Sequence, residues 1–230
     1  QGLSVALTSR GRAALVDCGG TGAADAGDTA ADYFQALGMS RVDLVVLTHC
    51  HADHAGGVPQ LLERMEVGRL ILPDVTPEDP LRQEILALAA EKGTQVLLIE
   101  DGAEIAFGEA ELTLYPPLGS GDANEAGLSV LCSVGDFDAL ITGDMGDDIE
   151  RRLVKYGDLP DIELLVAGHH GSKHATSEEL LLETKPELAV ISVGYNSYGH
   201  PAPETLERLA AAGCGIYRTD WHGTVGLTVP

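Results

Sequence analysis

Basic residues are scarce in this chain. Fourteen Lys and Arg stand against 36 Asp and Glu, which gives a formal net charge of −22 at pH 7. Proteins that grip nucleic acid by charge carry a basic surface that releases counterions from the phosphates. The composition therefore argues against binding of DNA by basic side chains of this chain alone. It leaves three options: positive charge from bound metal ions or a neighbouring domain, a small neutral substrate, or an acidic surface that serves solubility.

Cysteine and long apolar runs are also rare. The four cysteines form no Cys-x-x-Cys pair, which argues against a disulfide scaffold. No apolar stretch approaches the roughly 20 residues of a membrane span, and no signal-peptide pattern opens the chain. We therefore expect a soluble chain. Because it begins without Met and within a predicted strand, we expect a domain excised from a larger protein.

Length and periodicity predict the fold class. A chain of 230 residues can bury about 70 % of its unfolded surface, enough for one core, so we expect a single domain over residues 1–230. Short apolar runs alternate with helical patterns, which indicates a mixed α/β fold. The helices are predicted at residues 29–37, 81–91, 146–156, 177–183 and 203–212.

Residues 48–57 carry the most chemical information. They read Thr-His-Cys-His-Ala-Asp-His-Ala-Gly-Gly and follow the apolar run 42–47, so the polar side chains lie at a strand end. Imidazole and carboxylate groups at this spacing suit two divalent ions, and we expect the ligands His49, His51, Asp53 and His54. Two ions about 3.5–4 Å apart can share a water whose pKa falls from about 15.7 to about 7, which makes a hydroxide nucleophile. Histidines of an ordinary surface loop are the alternative.

Two later segments offer the remaining ligands. Asp144 follows the apolar run 139–141 and is predicted to bridge the metal ions. His169 and His170 follow the run 164–166. Because consecutive side chains on extended backbone face opposite ways, we expect one of them, His170, to bind metal and His169 to face the substrate as a catalytic residue. The alternative is a polar turn without function.

These motifs together resemble the metallo-β-lactamase superfamily. Its His-x-His-x-Asp-His signature stands at residues 49–54, and its early strand and turn match residues 15–20, where Asp17 would support the metal loop. Asp144 and His170 fit its later ligands. The resemblance implies a four-layer αββα sandwich, with two metal ions at one edge between the sheets and Asp53 among the catalytic residues.

The second half resembles a narrower group, the soluble C-terminal domain of ComEC-type DNA-internalisation competence proteins. The superfamily's usual third His has no counterpart between Asp122 and Val134, and Asn124 lies in a segment similar to the Asn-x-x-Ser-Leu-Val of that domain. The other similar segments are residues 1–4, 142–144, 169–173, 196–201 and 217–223. An amide oxygen binds zinc less strongly than imidazole does, so with Asn124 as a ligand the cofactor is either two Zn²⁺ or two Mn²⁺ ions.

His200 is a further candidate. It precedes Pro201, which biases it to extended backbone and directs its side chain away from the loop. It could bind phosphate or donate a proton to the leaving group, or it could only pack the loop; both interpretations stay open. Lys173 and Arg218 could neutralise phosphate oxygens.

The resemblance implies a phosphodiesterase or nuclease that degrades one DNA strand during natural transformation, with single-stranded or duplex DNA as substrate. Its partner would be the transmembrane channel domain of a parent membrane protein, on the extracytoplasmic side; a standalone chain would be cytoplasmic. The alternatives are a hydrolase of small esters, lactones or lactams and a non-catalytic domain that guides DNA. The oligomeric state is not predicted.

Overall fold

Two β-sheets organise the chain. The computed structural model describes residues 1–20 and 22–229, and these form two units. The first unit comprises Gln1–Glu100 with Phe107–Glu109, and the second comprises Asp101–Ala106 with Ala110–Pro230. The prediction of one domain over residues 1–230 stays a prediction.

The first unit contains a five-stranded sheet. Its strands are β1 Val5–Ser9, β2 Arg12–Val16, β3 Arg41–Val46, β4 Glu66–Pro73 and β5 Gln95–Ile99. Its helices are α1 Ala26–Ala36, α2 Ala52–Ala55, α3 Val58–Arg64 and α4 Pro80–Lys92. The order is β1-β2-β3-β4-β5, and all neighbours except β1 and β2 are parallel. The carboxyl ends of β2, β3 and β4 therefore lie at one edge.

Local sequence signals set the helix ends of this unit. The side chains of Asp25 and Asp79 accept backbone N–H groups at the starts of α1 and α4, and Pro80 occupies the first position of α4. Gly93 ends α4 with a φ of 73°, a conformation that favours glycine. One core joins side chains of the helices and the sheet, including Leu15, Phe34, Val45, Leu61, Leu70 and Ile85.

The second unit contains a seven-stranded sheet. Its strands are β6 Ala103–Phe107, β7 Ala110–Tyr115, β8 Ser129–Val134, β9 Phe137–Ile141, β10 Leu164–Val166, β11 Leu188–Ile191 and β12 Gly215–Arg218. Its helices are α5 Asp147–Tyr156, α6 Glu178–Thr184, α7 Pro203–Ala211 and α8 Thr219–His222. The order is β12-β11-β10-β9-β8-β7-β6. β9 to β12 run parallel, and β8 runs antiparallel to β9.

The structure confirms the mixed α/β class and all five predicted helices, with boundaries that differ by up to three residues. The apolar strands at 42–47, 139–141 and 164–166 are present as well. Within the described part of the chain, no helix is long and apolar enough to cross a membrane. The four cysteines are buried free thiols. Burial raises the pKa of Cys18 and Cys50 to about 12 and that of Cys132 to about 11.

Candidate metal centre

Asp17 fixes the histidine segment of the first unit. It follows β2, and Thr48 follows β3, so the two residues meet at the carboxyl ends of neighbouring strands. The Asp17 carboxylate accepts hydrogen bonds from Thr48 N at 2.7 Å, Thr48 Oγ1 at 2.8 Å and His54 Nδ1 at 2.7 Å. Because a carboxylate only accepts, Nδ1 of His54 carries the proton and Nε2 holds the lone pair that a metal ion requires.

Three imidazoles of this segment lie side by side. The ring of His49 has its centroid 4.8 Å from that of His51 and 4.1 Å from that of His54. His49 and His54 are buried, and His51 is exposed. Asp53 is half-buried, and together with His54 it offers ligand atoms suited to a metal ion. Cys50, between the histidines in sequence, packs instead in the apolar core.

A close approach of two loops holds Asp53 and His54 in place. Leu3 N donates to Asp53 O at 2.9 Å, and Cys18 N donates to His54 O at 2.7 Å. A Cβ atom at Gly19 would overlap the carbonyl group of Asp53. Glycine is therefore required at this position by contact, and hydrogen bonds from Leu3 and Cys18 hold the backbone of the predicted ligands Asp53 and His54.

The second unit presents two histidines on an unusual turn. After β10, His169 has a φ of 49° and His170 a φ of 54°, and Gly171 follows with a φ of 81°. The prediction that these histidines lie on extended backbone is therefore wrong, because three consecutive residues have a positive φ in the left-handed range. His169 N donates to Gly143 O at 3.0 Å, which ties this turn to the loop after β9.

Asp144 faces both histidines. His170 Nε2 lies 3.8 Å from Asp144 Oδ1, and His169 Nε2 lies 3.7 Å from Asp144 Oδ2. These separations exceed a hydrogen bond, yet two atoms each about 2.1 Å from one metal ion can be about this far apart. His170 is buried and donates Nδ1–H to Ser192 O at 2.8 Å, whereas a third of the His169 side chain is exposed. Asp144 and His170 thus offer ligand atoms suited to a metal ion.

His200 lies beside His169, with the two ring centroids 5.7 Å apart. Burial lowers the pKa of His200, and the neighbouring charge of His169 lowers it further. Asn196 fixes its backbone: Oδ1 accepts from His200 N at 3.0 Å, and Nδ2 donates to His200 O at 2.9 Å. This role of Asn196 was missed from the sequence, although the residue begins one of the recognised segments.

A buried carboxylate stabilises the loop that follows His170. Glu150 accepts from Thr176 N at 2.7 Å and from Ser177 N at 2.6 Å, and burial raises its pKa. Arg208 donates to the carbonyl oxygens of Ala175 and Thr176. Nothing in the sequence distinguishes Glu150 from Asp147 and Asp148, which precede it at the start of α5.

Asn124 precedes β8, whose start pairs with the end of β9 just before Asp144. Its backbone N–H donates to Asp122 Oδ1 at 2.9 Å. Its side-chain Oδ1 is buried, and no described residue donates a hydrogen bond to it. A buried carbonyl oxygen without a donor is costly unless a cation satisfies it, so this atom fits the prediction of a metal ligand.

Comparison with known proteins decides the family. A family model described as the metallo-beta-lactamase superfamily matches residues 1–195. The chain belongs to the metallo-β-lactamase superfamily. Segments 49–54, 142–144 and 168–171, which contain most of the predicted ligands, all lie within the matched range.

Three curated relatives of this superfamily member are ComEC-type competence proteins. The chain is 29 % identical over 196 residues to ComE operon protein 3 of Bacillus subtilis. The aligned residues cover 84 % of this chain and 25 % of that protein. It is 33 % identical over 229 residues to competence protein ComA of Neisseria gonorrhoeae, 98 % of this chain and 30 % of that protein. The chain thus spans about a quarter to a third of these relatives.

A solved structure supports the fold. The metallo-β-lactamase fold protein YhfI of Bacillus subtilis superposes with a TM-score of 0.64 at 13 % identity, covering 95 % of this chain and 88 % of that one. The fold is thereby confirmed as the metallo-β-lactamase fold, a mixed α/β fold with two sheets. The individual ligand and catalytic assignments made from the sequence stay predictions.

Replacing Gly171 by Ala is expected to destabilise the second unit. A Cβ atom there would lie 2.7 Å from Pro201 Cβ, in addition to the strain of a φ of 81°. We expect a loss of about 2–4 kcal/mol in urea denaturation. Gly213→Ala is the matched control, since its φ is 83° with no atom within 4 Å, and it should cost only about 1 kcal/mol. Equal losses of stability in the two variants would show that the contact between residue 171 and Pro201 does not determine the effect.

Proposed function

We propose that this chain is a metal-dependent phosphodiesterase that cleaves one DNA strand during DNA uptake. The proposal rests on one observation. In His54 and in His170, a hydrogen bond at Nδ1 orients the imidazole and leaves Nε2 as the atom that can bind a metal ion. Asp17 orients His54, and the Ser192 carbonyl orients His170, an arrangement typical of metal-binding histidines. The proposed ligands of the two Zn²⁺ or Mn²⁺ ions are His49, His51, Asp53, His54, Asn124, Asp144 and His170.

In this proposal, Asp17, His169 and His200 have different roles in catalysis. Bound divalent ions supply Lewis acidity toward the phosphate and lower the pKa of water. Asp17 keeps the His54 proton on Nδ1, so that Nε2 remains the ligand atom. His169, partly exposed beside Asp144, can reach the substrate. Burial lowers the pKa of His200, which favours its neutral form, and the neutral ring can donate an N–H to a phosphate oxygen.

The proposed biological role draws on the relatives. One of them is named competence protein ComA and another ComE operon protein 3, and this chain covers about a quarter to a third of their length. We propose that the chain is one domain of such a larger membrane protein, works beside its transmembrane channel on the extracytoplasmic side, and takes DNA as substrate.

A substrate panel tests the activity. The purified chain, loaded with Mn²⁺ or Zn²⁺, is incubated with single-stranded DNA, duplex DNA, a nitrocefin-type lactam and a simple aryl ester. The proposal expects strand cleavage that requires the metal. Hydrolysis of the lactam or the ester without DNA cleavage would instead support the small-molecule hydrolase, which the net charge of −22 favours.

Replacing Asn124 by His is expected to raise the affinity for zinc by about tenfold or more, because imidazole is a stronger zinc ligand than an amide oxygen. The measurement is zinc content by elemental analysis after dialysis against a graded chelator. Asp136→His, which places the same imidazole on the exposed turn between β8 and β9, is the control and should leave zinc content unchanged. Zinc content unaltered in Asn124→His would show that residue 124 does not contact the metal.

A further inference from the structure

The exposed aromatic rings of this chain are unevenly distributed. The chain has only three Phe, six Tyr and one Trp. Among the described residues, the three most exposed aromatics are Tyr195, Tyr198 at 77 % and Trp221 at 72 %, and Tyr195 is fully in water. All three lie in the second unit, in the segments that follow β11 and β12. We refer to Tyr195, Tyr198 and Trp221 as the aromatic edge.

The sheet places these rings in line with the candidate metal ligands. β9, β10, β11 and β12 are parallel neighbours whose carboxyl ends coincide within a residue or so. Asp144 follows β9, His169 and His170 follow β10, Tyr198 follows β11, and Trp221 follows β12. Three inter-strand spacings, about 14 Å, separate the first strand of this series from the last.

Direct contacts connect the aromatic edge to the site. The ring centroid of Tyr198 lies 5.8 Å from that of His200, which in turn lies 5.7 Å from that of His169. Thr219 Oγ1 donates to Val193 O at 2.8 Å and accepts from Val193 N at 2.8 Å, which fastens the two aromatic segments to each other. The aromatic edge is thus continuous with the histidines of the second unit.

This part of the surface is poor in acidic residues, unlike the rest of the chain. Segments 167–177, 192–202 and 215–225 contain one carboxylate, Asp220, although the whole chain has 36 acidic residues in 230. Asp220 accepts hydrogen bonds from Arg218 at 2.7 and 3.0 Å. The Arg218 guanidinium also lies 3.8 Å from the centroid of the Trp221 ring. An anionic polymer would therefore meet little repulsion here.

We propose that the aromatic edge binds the bases of a single-stranded polynucleotide and leads the strand to the site. The identity of the ligand rests on the proposed phosphodiesterase function. Stacking of bases on aromatic rings does not depend on net charge, so it can hold a strand on a chain that has few cations. In a duplex the bases are already stacked on one another. The aromatic edge therefore selects single strands over duplex.

The test measures binding separately from cleavage. Fluorescein-labelled phosphorothioate oligothymidylate, which resists hydrolysis, is titrated with the metal-loaded full chain and followed by anisotropy. Tyr198→Leu and Trp221→Leu are each expected to weaken binding about tenfold. Tyr156→Leu is the control: Tyr156 is 55 % exposed but lies at the far end of α5, about 15 Å from its start beside the His174 carbonyl. Melting temperatures verify that the exposed substitutions preserve the fold.

Two further readouts sharpen the test. A duplex of the same length should bind at least tenfold more weakly than the single strand. The logarithm of the binding constant should fall with the logarithm of salt concentration with a slope of about −1 or shallower, because stacking rather than counterion release dominates. Trp221 is the sole tryptophan of the chain, so quenching of intrinsic fluorescence reports contact at the aromatic edge.

The inference and the proposed function fail in different ways. Wild-type affinity in both Tyr198→Leu and Trp221→Leu, equal affinity for duplex, or absence of binding would overturn the inference even if the wild type cleaves DNA. Binding that depends on both rings in a protein without nuclease activity would support the inference and overturn the phosphodiesterase.

Discussion

Substituting Asp144 by Asn is expected to lower the rate of DNA cleavage on the order of a thousandfold, equivalent to about 4 kcal/mol. The side chain is 5 % exposed, and its two oxygens lie 3.7 and 3.8 Å from His169 and His170. Asn keeps the shape but removes the charge that we expect to hold the metal ions together. The measurement is the single-turnover cleavage rate, with metal content determined on the same sample.

Asp148→Asn is the matched control for this prediction. Asp148 lies four residues further along, in the first turn of α5, and its side chain is 83 % exposed. The same chemical change there should leave cleavage and metal content within twofold of wild type. Should Asp144→Asn keep more than a tenth of the wild-type rate, Asp144 would not be a metal-bridging residue.

Substituting Asp17 by Asn is expected to weaken metal binding by about 10–100-fold without touching a proposed ligand. The fully buried carboxylate accepts three hydrogen bonds, two from Thr48 and one from His54. An amide can accept only at its oxygen, so its NH₂ group would face a donor and favour the wrong tautomer of His54. Affinity is measured by competition with a chelator, and stability, which should fall by about 2–4 kcal/mol, by urea denaturation.

Asp43→Asn controls for the loss of a carboxylate in the same sheet. Asp43 lies on β3, is only half-buried, accepts from Ala13 N at 3.1 Å and lies 3.7 Å from Arg41 Nε. This variant should bind metal as the wild type does. Equal metal affinity in Asp17→Asn and the wild type would mean that the orientation of His54 does not depend on Asp17.

The sequence was sufficient where the signal is local. Apolar runs located the strands before Thr48 and Asp144, because a buried parallel strand needs little more than β-branched and aliphatic residues. The ligand types at 49–54 and 144 follow those strand ends directly. The helices were found for the same reason: their periodicity and caps lie within a few residues of one another.

Features that depend on contacts between residues far apart in the chain could not be predicted from the sequence. The left-handed turn of His169 and His170 is tied by a hydrogen bond to the Gly143 carbonyl and lies close to Pro201, and both of these residues are distant from the turn in sequence. Ser192 orients His170 through its backbone carbonyl, so its side chain carries no signal. Glu150 resembles its exposed acidic neighbours until the fold buries it.

The four buried thiols can report the local opening of each unit. Cys18 and Cys50 belong to the first unit, and Cys132 and Cys214 to the second. Because all four thiols are buried and burial raises their pKa values, alkylation requires the surrounding structure to open. Modification rates, resolved peptide by peptide in a mass spectrometer, therefore give a separate opening free energy for each unit without any engineered probe.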